Sequence, residues 1–175
     1  MRATDITLGW RWSENNLSIQ TPAGTLVLTP LMDDLIRLRI EATGGKLVLP
    51  TDAIIKTDWQ PPHDAAVADH GDHLTLTSGG IKVEIDLAPV RLRWYDGDRL
   101  FAVDHEIGIA PDRILLRRQM PQDEHYYGFG QKIGYLDKRG RKMEMWATDD
   151  PNHTPTTDPL YQSIPFFISL RGGQA

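Results

Sequence analysis

Apolar and polar residues alternate along most of this chain with a period of two. In DLIRLRIE (34–41), Ile36, Leu38 and Ile40 alternate with Leu35, Arg37 and Arg39. The same rhythm runs through LSIQ (17–20), TLVLTP (25–30), HLTLTS (73–78), GIKVEIDL (80–87), VRLRWYD (90–96) and RLFAVD (99–104). Alternation over four to eight residues is the signature of a strand with one face in a core and one in water. Turn residues separate these segments. SGG (78–80) and DGD (96–98) stand at hairpin distance between strands, and TGG (43–45) and QPPH (60–63) break the chain elsewhere. No helical stripe of useful length escapes glycine or proline. The expectation is an all-β protein, a twisted antiparallel β-sandwich with many hairpins.

The character changes after about residue 120. PQDEHYYGFGQKIGYLDKRGRKMEMW (121–146) is rich in glycine and aromatics and does not alternate cleanly. It reads as an ordered loop region rather than sheet. An apolar strand returns only at SIPFFISL (163–170). The GG after it signals a turn with no returning strand, so the strand either pairs elsewhere in the sheet or belongs to a longer natural chain. The second is the expectation.

Composition narrows the classes. The net charge of −5 argues against nucleic acid and anionic membrane partners, which select basic surfaces. The chain has no cysteine, which excludes disulfides, zinc–thiolate sites and thiol nucleophiles. MRATDITLGWRW lacks the apolar core of a signal peptide, and no stretch approaches the roughly 18 apolar residues of a membrane helix. A cytoplasmic location fits these features.

Several constellations invite a chemical reading and fail a simple test. His70 and His73 in DHGDH sit beside a glycine before a strand, which suits a solvated turn better than a metal site. An epimerase would need a histidine acid and a glutamate base converging on one sugar ring. His105 with Glu106, and Glu124 with His125, are sequence neighbours, so on a strand they point to opposite faces. Pairings at longer range stay open. YYGFGQK (126–132) has Gly128 and Gly130 but neither the third glycine nor the βαβ unit of a dinucleotide cradle, and reads as a tight turn under packed aromatics. LDKRGRK (136–142) contains Asp137 and reads as a solvated turn or a local ion pair.

One polar excursion remains, residues 147–159, framed by Trp146 and Leu160. It holds Asp149, Asp150 and Asp158 with prolines and threonines. A surface loop accounts for the residue types. Its length and its aromatic frame also suit a functional loop, because structureless loops this long are uncommon in compact domains. Carboxylates beside an indole fit a sugar, whose hydroxyls take charged hydrogen bonds while its C–H face stacks on the ring. Both readings stand on the residues alone.

YYGFGQK, LDKRGRKMEMWATD and TDPLYQSIPFFI occur in that order, after DDLIRLRI and LRWYDGDRLFAVD. Together they resemble the N-terminal β-sandwich domain of glycoside hydrolase family 31, the α-glucosidase and α-xylosidase family. The likeness spans most of the chain and is strongest over 126–168. It implies a galactose-mutarotase-like sandwich whose loop, 146–160, reaches the active site of a neighbouring catalytic (β/α)8 barrel. The family's nucleophile and general acid are aspartates of that barrel, acting by the retaining two-carboxylate route. Such a barrel needs about 250 residues, and residues 1–175 are filled by the sandwich domain. The resemblance therefore implies a piece of a longer retaining α-glycosidase, with no catalytic residue, cofactor or metal of its own and no hydrolysis alone. In the full enzyme the partners are its own barrel and an α-linked gluco-oligosaccharide or α-xyloside. Asp149 matches the aspartate of the family's Trp-Asn-x-Asp, which contacts substrate, and Trp146 matches its tryptophan, as a substrate contact or a packing anchor. Tyr161, Ser163, Ile164 and Pro165 match a structural closing motif. Ala147 replaces the usual asparagine and Gln131 the usual glutamate, which leaves the substrate class open. A free-standing carbohydrate-binding sandwich and a mutarotase-like epimerase are the alternatives.

Overall fold

The computed structural model describes residues 2–3, 6–44, 55–56, 58–110 and 112–172. Gly45 of the TGG break and residues 173–175 lie outside the described residues. The chain divides into two compact units, residues 1–119 and 120–175. The described residues are all-β, with antiparallel strands and no helix.

In chain order the first unit contains β1 (Arg2–Ala3), β2 (Gly9–Ser13), β3 (Asn16–Thr21), β4 (Gly24–Met32), β5 (Leu35–Ala42), β6 (Ala66–Asp69), β7 (His73–Ser78), β8 (Ile81–Leu87), β9 (Val90–Asp96), β10 (Arg99–Ala110) and β11 (Arg113–Arg118). Strands β2-β3-β4-β5 form a four-stranded meander. The order β1-β10-β9-β8-β7-β6, with β11 also on β10, forms a seven-stranded sheet. The inner faces of the two sheets share one apolar cluster. Leu17, Ile19, Leu26 and Leu28 come from the meander, and Leu74, Leu76, Val83, Ile85, Leu92, Ile107 and Ile109 from the larger sheet. Each is fully buried or nearly so, and truncating such a leucine to alanine costs about 2–5 kcal/mol. This is the expected sandwich.

Both predicted hairpin turns form. Gly79 (φ 54°) and Gly97 (φ 56°) take the left-handed backbone there. At Gly79 a side chain is doubly excluded, since a Cβ would lie 2.6 Å from the Asp33 carbonyl oxygen. That carbonyl accepts a hydrogen bond from the Gly80 amide.

Strand β10 runs six residues past its predicted end. Its register on β9 shifts between Leu100 and Ala102, and its register on β11 shifts between Asp104 and Glu106. Each bulge inserts a residue, Phe101 and then His105, and so resets the alternation that a period-two reading follows. Between the bulges Asp104, fully buried, accepts hydrogen bonds from Trp94 Nε1 (2.7 Å) and from Arg118 Nε and Nη2 (2.7 and 2.9 Å). Buried charge is tolerated there because all of its demand is met by charged or indole donors.

The second unit pairs β12 (Glu124–Gly130) with β13 (Ser163–Arg171) as a two-stranded antiparallel ribbon. The apolar strand at 163–170 thus finds a partner within the chain, in a segment expected to be loop. Gly128 and Gly130 have positive φ as anticipated, but in a bulged strand rather than a turn. A Cβ at Gly130 would sit 2.4 Å from the Gln162 carbonyl oxygen, and one at Gly128 2.8 Å from that of Phe166. The glycines that broke the alternation permit the close approach of β13. Across the irregularity Phe129 alone faces the three residues 164–166 of β13, and its ring stacks on Phe167 at 5.1 Å.

Candidate functional site

Residues 131–162 join the two strands of the ribbon without regular secondary structure. A connection of this length holds a shape only if its backbone groups find other partners. Side chains supply many of them. Lys138, 6% exposed, donates through Nζ to the carbonyls of Lys132, Ile133 and Tyr135. Burial, followed by the charge of Arg141, lowers its pKa. Arg141 donates to the Ile133 carbonyl and Arg139 to the Glu124 carbonyl. Asp137 accepts from His125 Nδ1 (2.7 Å) and from the amides of Arg139 and Tyr126. Those donors, His125 foremost, hold its carboxyl down at about 2. LDKRGRK is therefore a bracket of side-chain-to-backbone bonds with a buried lysine at its centre, not a solvated turn.

The polar excursion is pinned at its base. Lys132, whose side chain is 3% exposed, meets Asp158 at 2.8 Å. The same carboxylate accepts the Glu144 amide, and Lys132 donates to the Glu144 carbonyl. Burial alone would raise the Asp158 pKa; the bonds from Lys132 and the Glu144 amide outweigh it, and the net shift is downward. Leu160 is buried, the Tyr161 amide donates to the Thr148 carbonyl, and Ser163 Oγ donates to the Trp146 carbonyl at 2.9 Å. Tyr161 and Ser163 thus act structurally, as their place in the closing motif implies. At the tip, Asp150 Oδ1 accepts the Asn152 amide, and the hydroxyls of Thr154, Thr156 and Thr157 bond among themselves.

Against this background the two expected ligand contacts stand out by what they lack. Trp146 anchors the base through its backbone, yet its side chain leaves the residue 66% exposed. The indole is presented to solvent rather than packed. Asp149 is exposed and makes no hydrogen bond or ion pair with any described residue, whereas Asp150 and Asp158 both serve the loop. Ala147 and Gln131 are also exposed.

His70 and His73 stack at 4.5 Å, with His73 on Asp72 and His70 on Thr75. Among the described residues no group of three or more histidine and carboxylate side chains could hold a metal. Glu124 is buried against the Tyr126 hydroxyl while its neighbour His125 holds Asp137. Glu106 pairs with Arg117, and His105 is the exposed residue of a bulge. Neither adjacent pair converges on one site. No helix among the described residues is long and apolar enough to cross a membrane.

Comparison with known proteins gives a consistent answer. Alpha-glucosidase 2 of Bacillus thermoamyloliquefaciens is 34% identical over 168 residues, covering 93% of this chain and 21% of the relative. An alpha-glucosidase of Saccharolobus solfataricus is 33% identical over 64 residues, 37% of this chain and 9% of the relative. In the solved Flavobacterium johnsoniae GH31 dextranase complexed with glucose, the matching region superposes with a TM-score of 0.87 at 21% identity. It covers 97% of this chain and 22% of that one. The chain thus spans about a fifth of the length of the Bacillus enzyme and of the dextranase. Residues 25–175 match the family described as the glycosyl hydrolase 31 N-terminal galactose mutarotase-like domain. The chain belongs to that family.

Proposed function

We propose that this chain is the N-terminal sandwich domain of a cytoplasmic retaining α-glycosidase and that loop 146–160 contributes to substrate recognition. Asp149 accepts sugar hydroxyls and Trp146 offers its ring to a C–H face. The substrate is an α-linked gluco-oligosaccharide or an α-xyloside. The reacting carboxylates belong to a catalytic barrel outside residues 1–175, so these residues alone bind sugar weakly and do not hydrolyse it. The observation that carries this reading is the division of labour among the loop's acids. Asp150 and Asp158 are engaged in holding the loop, while Asp149 has no structural partner among the described residues. An exposed carboxylate on a braced loop is pre-organised to accept a ligand at little ordering cost.

The test is kinetic. In the complete enzyme Asp149→Ala lowers kcat/KM by about tenfold to a hundredfold, as for loss of a hydrogen bond to a charged group, while thermal stability is unchanged. Trp146→Ala acts in the same direction. Wild-type kinetics in Asp149→Ala toward α-glucosides and α-xylosides alike would remove Asp149 from the site.

A further inference from the structure

Asp149 sits between two residues that are both held by Tyr161. On one side the Tyr161 amide donates to the Thr148 carbonyl, and on the other the Tyr161 hydroxyl reaches the Asp150 carbonyl at 3.4 Å. His153 joins the second contact. Its Nδ1 lies 3.0 Å from the Asp150 carbonyl oxygen and 3.2 Å from the Tyr161 hydroxyl, and its ring meets the Tyr161 ring edge to face with centroids 5.6 Å apart. A carbonyl oxygen only accepts, so Nδ1 carries the proton and donates to Asp150, and the hydroxyl proton serves the same oxygen.

These bonds are separate from the pairing of Lys132 with Asp158 and from the threonine hydroxyls of the tip. They converge on the two peptides that flank one exposed carboxylate. The backbone of Tyr161 is also unusual, with φ at 40°. A tyrosine in the left-handed region is strained, and such strain persists where the surroundings over-determine a residue and gathers where a function needs one geometry. A carboxylate on a loose backbone must be ordered each time a ligand arrives. Fixing both neighbouring peptides removes that cost and sets the point from which the side chain reaches.

We propose that Tyr161 and His153 are positioning residues for Asp149. By holding the Thr148 and Asp150 carbonyls they set where its carboxylate meets the sugar. The proposal rests on the reading of Asp149 as a substrate contact.

Kinetics of single and double variants of the complete enzyme, on para-nitrophenyl α-glucoside and α-xyloside, test this. Tyr161→Phe removes only the hydroxyl, and His153→Ala removes the imidazole. Each lowers kcat/KM by about threefold to tenfold, as for loss of one hydrogen bond. In the Asp149→Ala background the same changes have no further effect, since no carboxylate is left to aim. His153→Asn, whose amide stands close to the place of Nδ1–H, restores most of the loss. In the full chain, the NMR order parameter of the Asp149 amide falls from about 0.85 to below about 0.6 when Tyr161→Phe and His153→Ala are combined. Losses that carry over undiminished onto Asp149→Ala would overturn the proposal while leaving Asp149 in the site. Wild-type kinetics in both single variants, or an unmoved order parameter, would overturn it too. A neutral Asp149→Ala would instead remove the recognition reading, and the proposal with it. Should His153→Ala fail to fold, Tyr161→Phe, which deletes a single oxygen, decides the matter.

Discussion

Replacing Lys132 with methionine isolates the clasp at the base of the loop. The wild-type pair is short, 2.8 Å, with side-chain exposures of 3% for Lys132 and 16% for Asp158. Methionine fills much of the same space and leaves the Asp158 carboxylate with the Glu144 amide as its remaining described hydrogen-bond donor. Removing one partner of a buried ion pair typically costs about 3–5 kcal/mol, because the surviving charge stays desolvated. Read locally by native-state hydrogen exchange, that is a loss of protection of between about a hundredfold and several thousandfold at the amides of Glu144 and Tyr161. Glu144 depends on the clasp directly, through Asp158, and the Tyr161 amide, bonded to the Thr148 carbonyl, lies three residues from Asp158 in the segment it anchors. The sign of the pH dependence is fixed as well. Asp158 has a depressed pKa in the folded protein, so its stabilisation is complete above the unfolded value of about 3.9 and is lost as pH falls through the folded value. The difference between Lys132→Met and wild type should therefore shrink on acidification. Adding Asp158→Asn to Lys132→Met should recover part of the loss, since a neutral amide needs no counter-charge. Protection within a factor of three of wild type in Lys132→Met, or a double variant as weak as the two single losses added together, would refute the clasp as a coupled pair.

Gly79→Ala forces a Cβ to within 2.6 Å of the Asp33 carbonyl oxygen at positive φ. It should cost about 1–3 kcal/mol and lower the melting temperature by roughly 3–10 °C in a calorimetric scan. Asp137 is held at about 2 by His125 and two amides, so its contribution is complete above about pH 4 and is lost as the pH falls toward 2. Asp137→Asn should melt below wild type at pH 7, with the deficit closing near pH 2, as followed by circular dichroism across that range.

Much of the sandwich was legible in the sequence because period-two alternation is a direct record of which face meets the core. It placed β7, β8 and β9 nearly to the residue, and DGD and SGG became the turns their chemistry implies. Alternation stops informing where the ladder is irregular. The bulges at Phe101 and His105 hid the second half of β10, with Ile107 and Ile109 that complete the core. The hairpin of β2 and β3 turns through Glu14 and Asn15, both at positive φ, in place of the usual glycine. Trp10 and Trp12 alternating with Arg11 were the available sign of β2. Strand β12 was obscured by Gly128 and Gly130, whose reason is a close approach to residues more than thirty positions away. Ordered motifs pointed to Trp146 and Asp149, but the clasp was invisible. Nothing in the local sequence of Lys132 or Asp158 reveals that they meet, since 26 residues separate them.

The long connection between β12 and β13 has two zones with different tolerances to change. Its base is tied by Lys132, Lys138, Arg141 and Ser163 to specific backbone carbonyls, so each of those side chains constrains a distant stretch of chain. Its tip, residues 151–156, is exposed, and its bonds reach only near neighbours and Tyr161, through Asp150, Thr157 and the His153 ring at 3.2 Å from the Tyr161 hydroxyl. Changes at the tip that keep His153 on Tyr161 therefore leave the base bonds of the loop untouched. A loop organised this way lets one scaffold carry varied surfaces on a constant base, which makes the tip the place where sequence change costs the fold least.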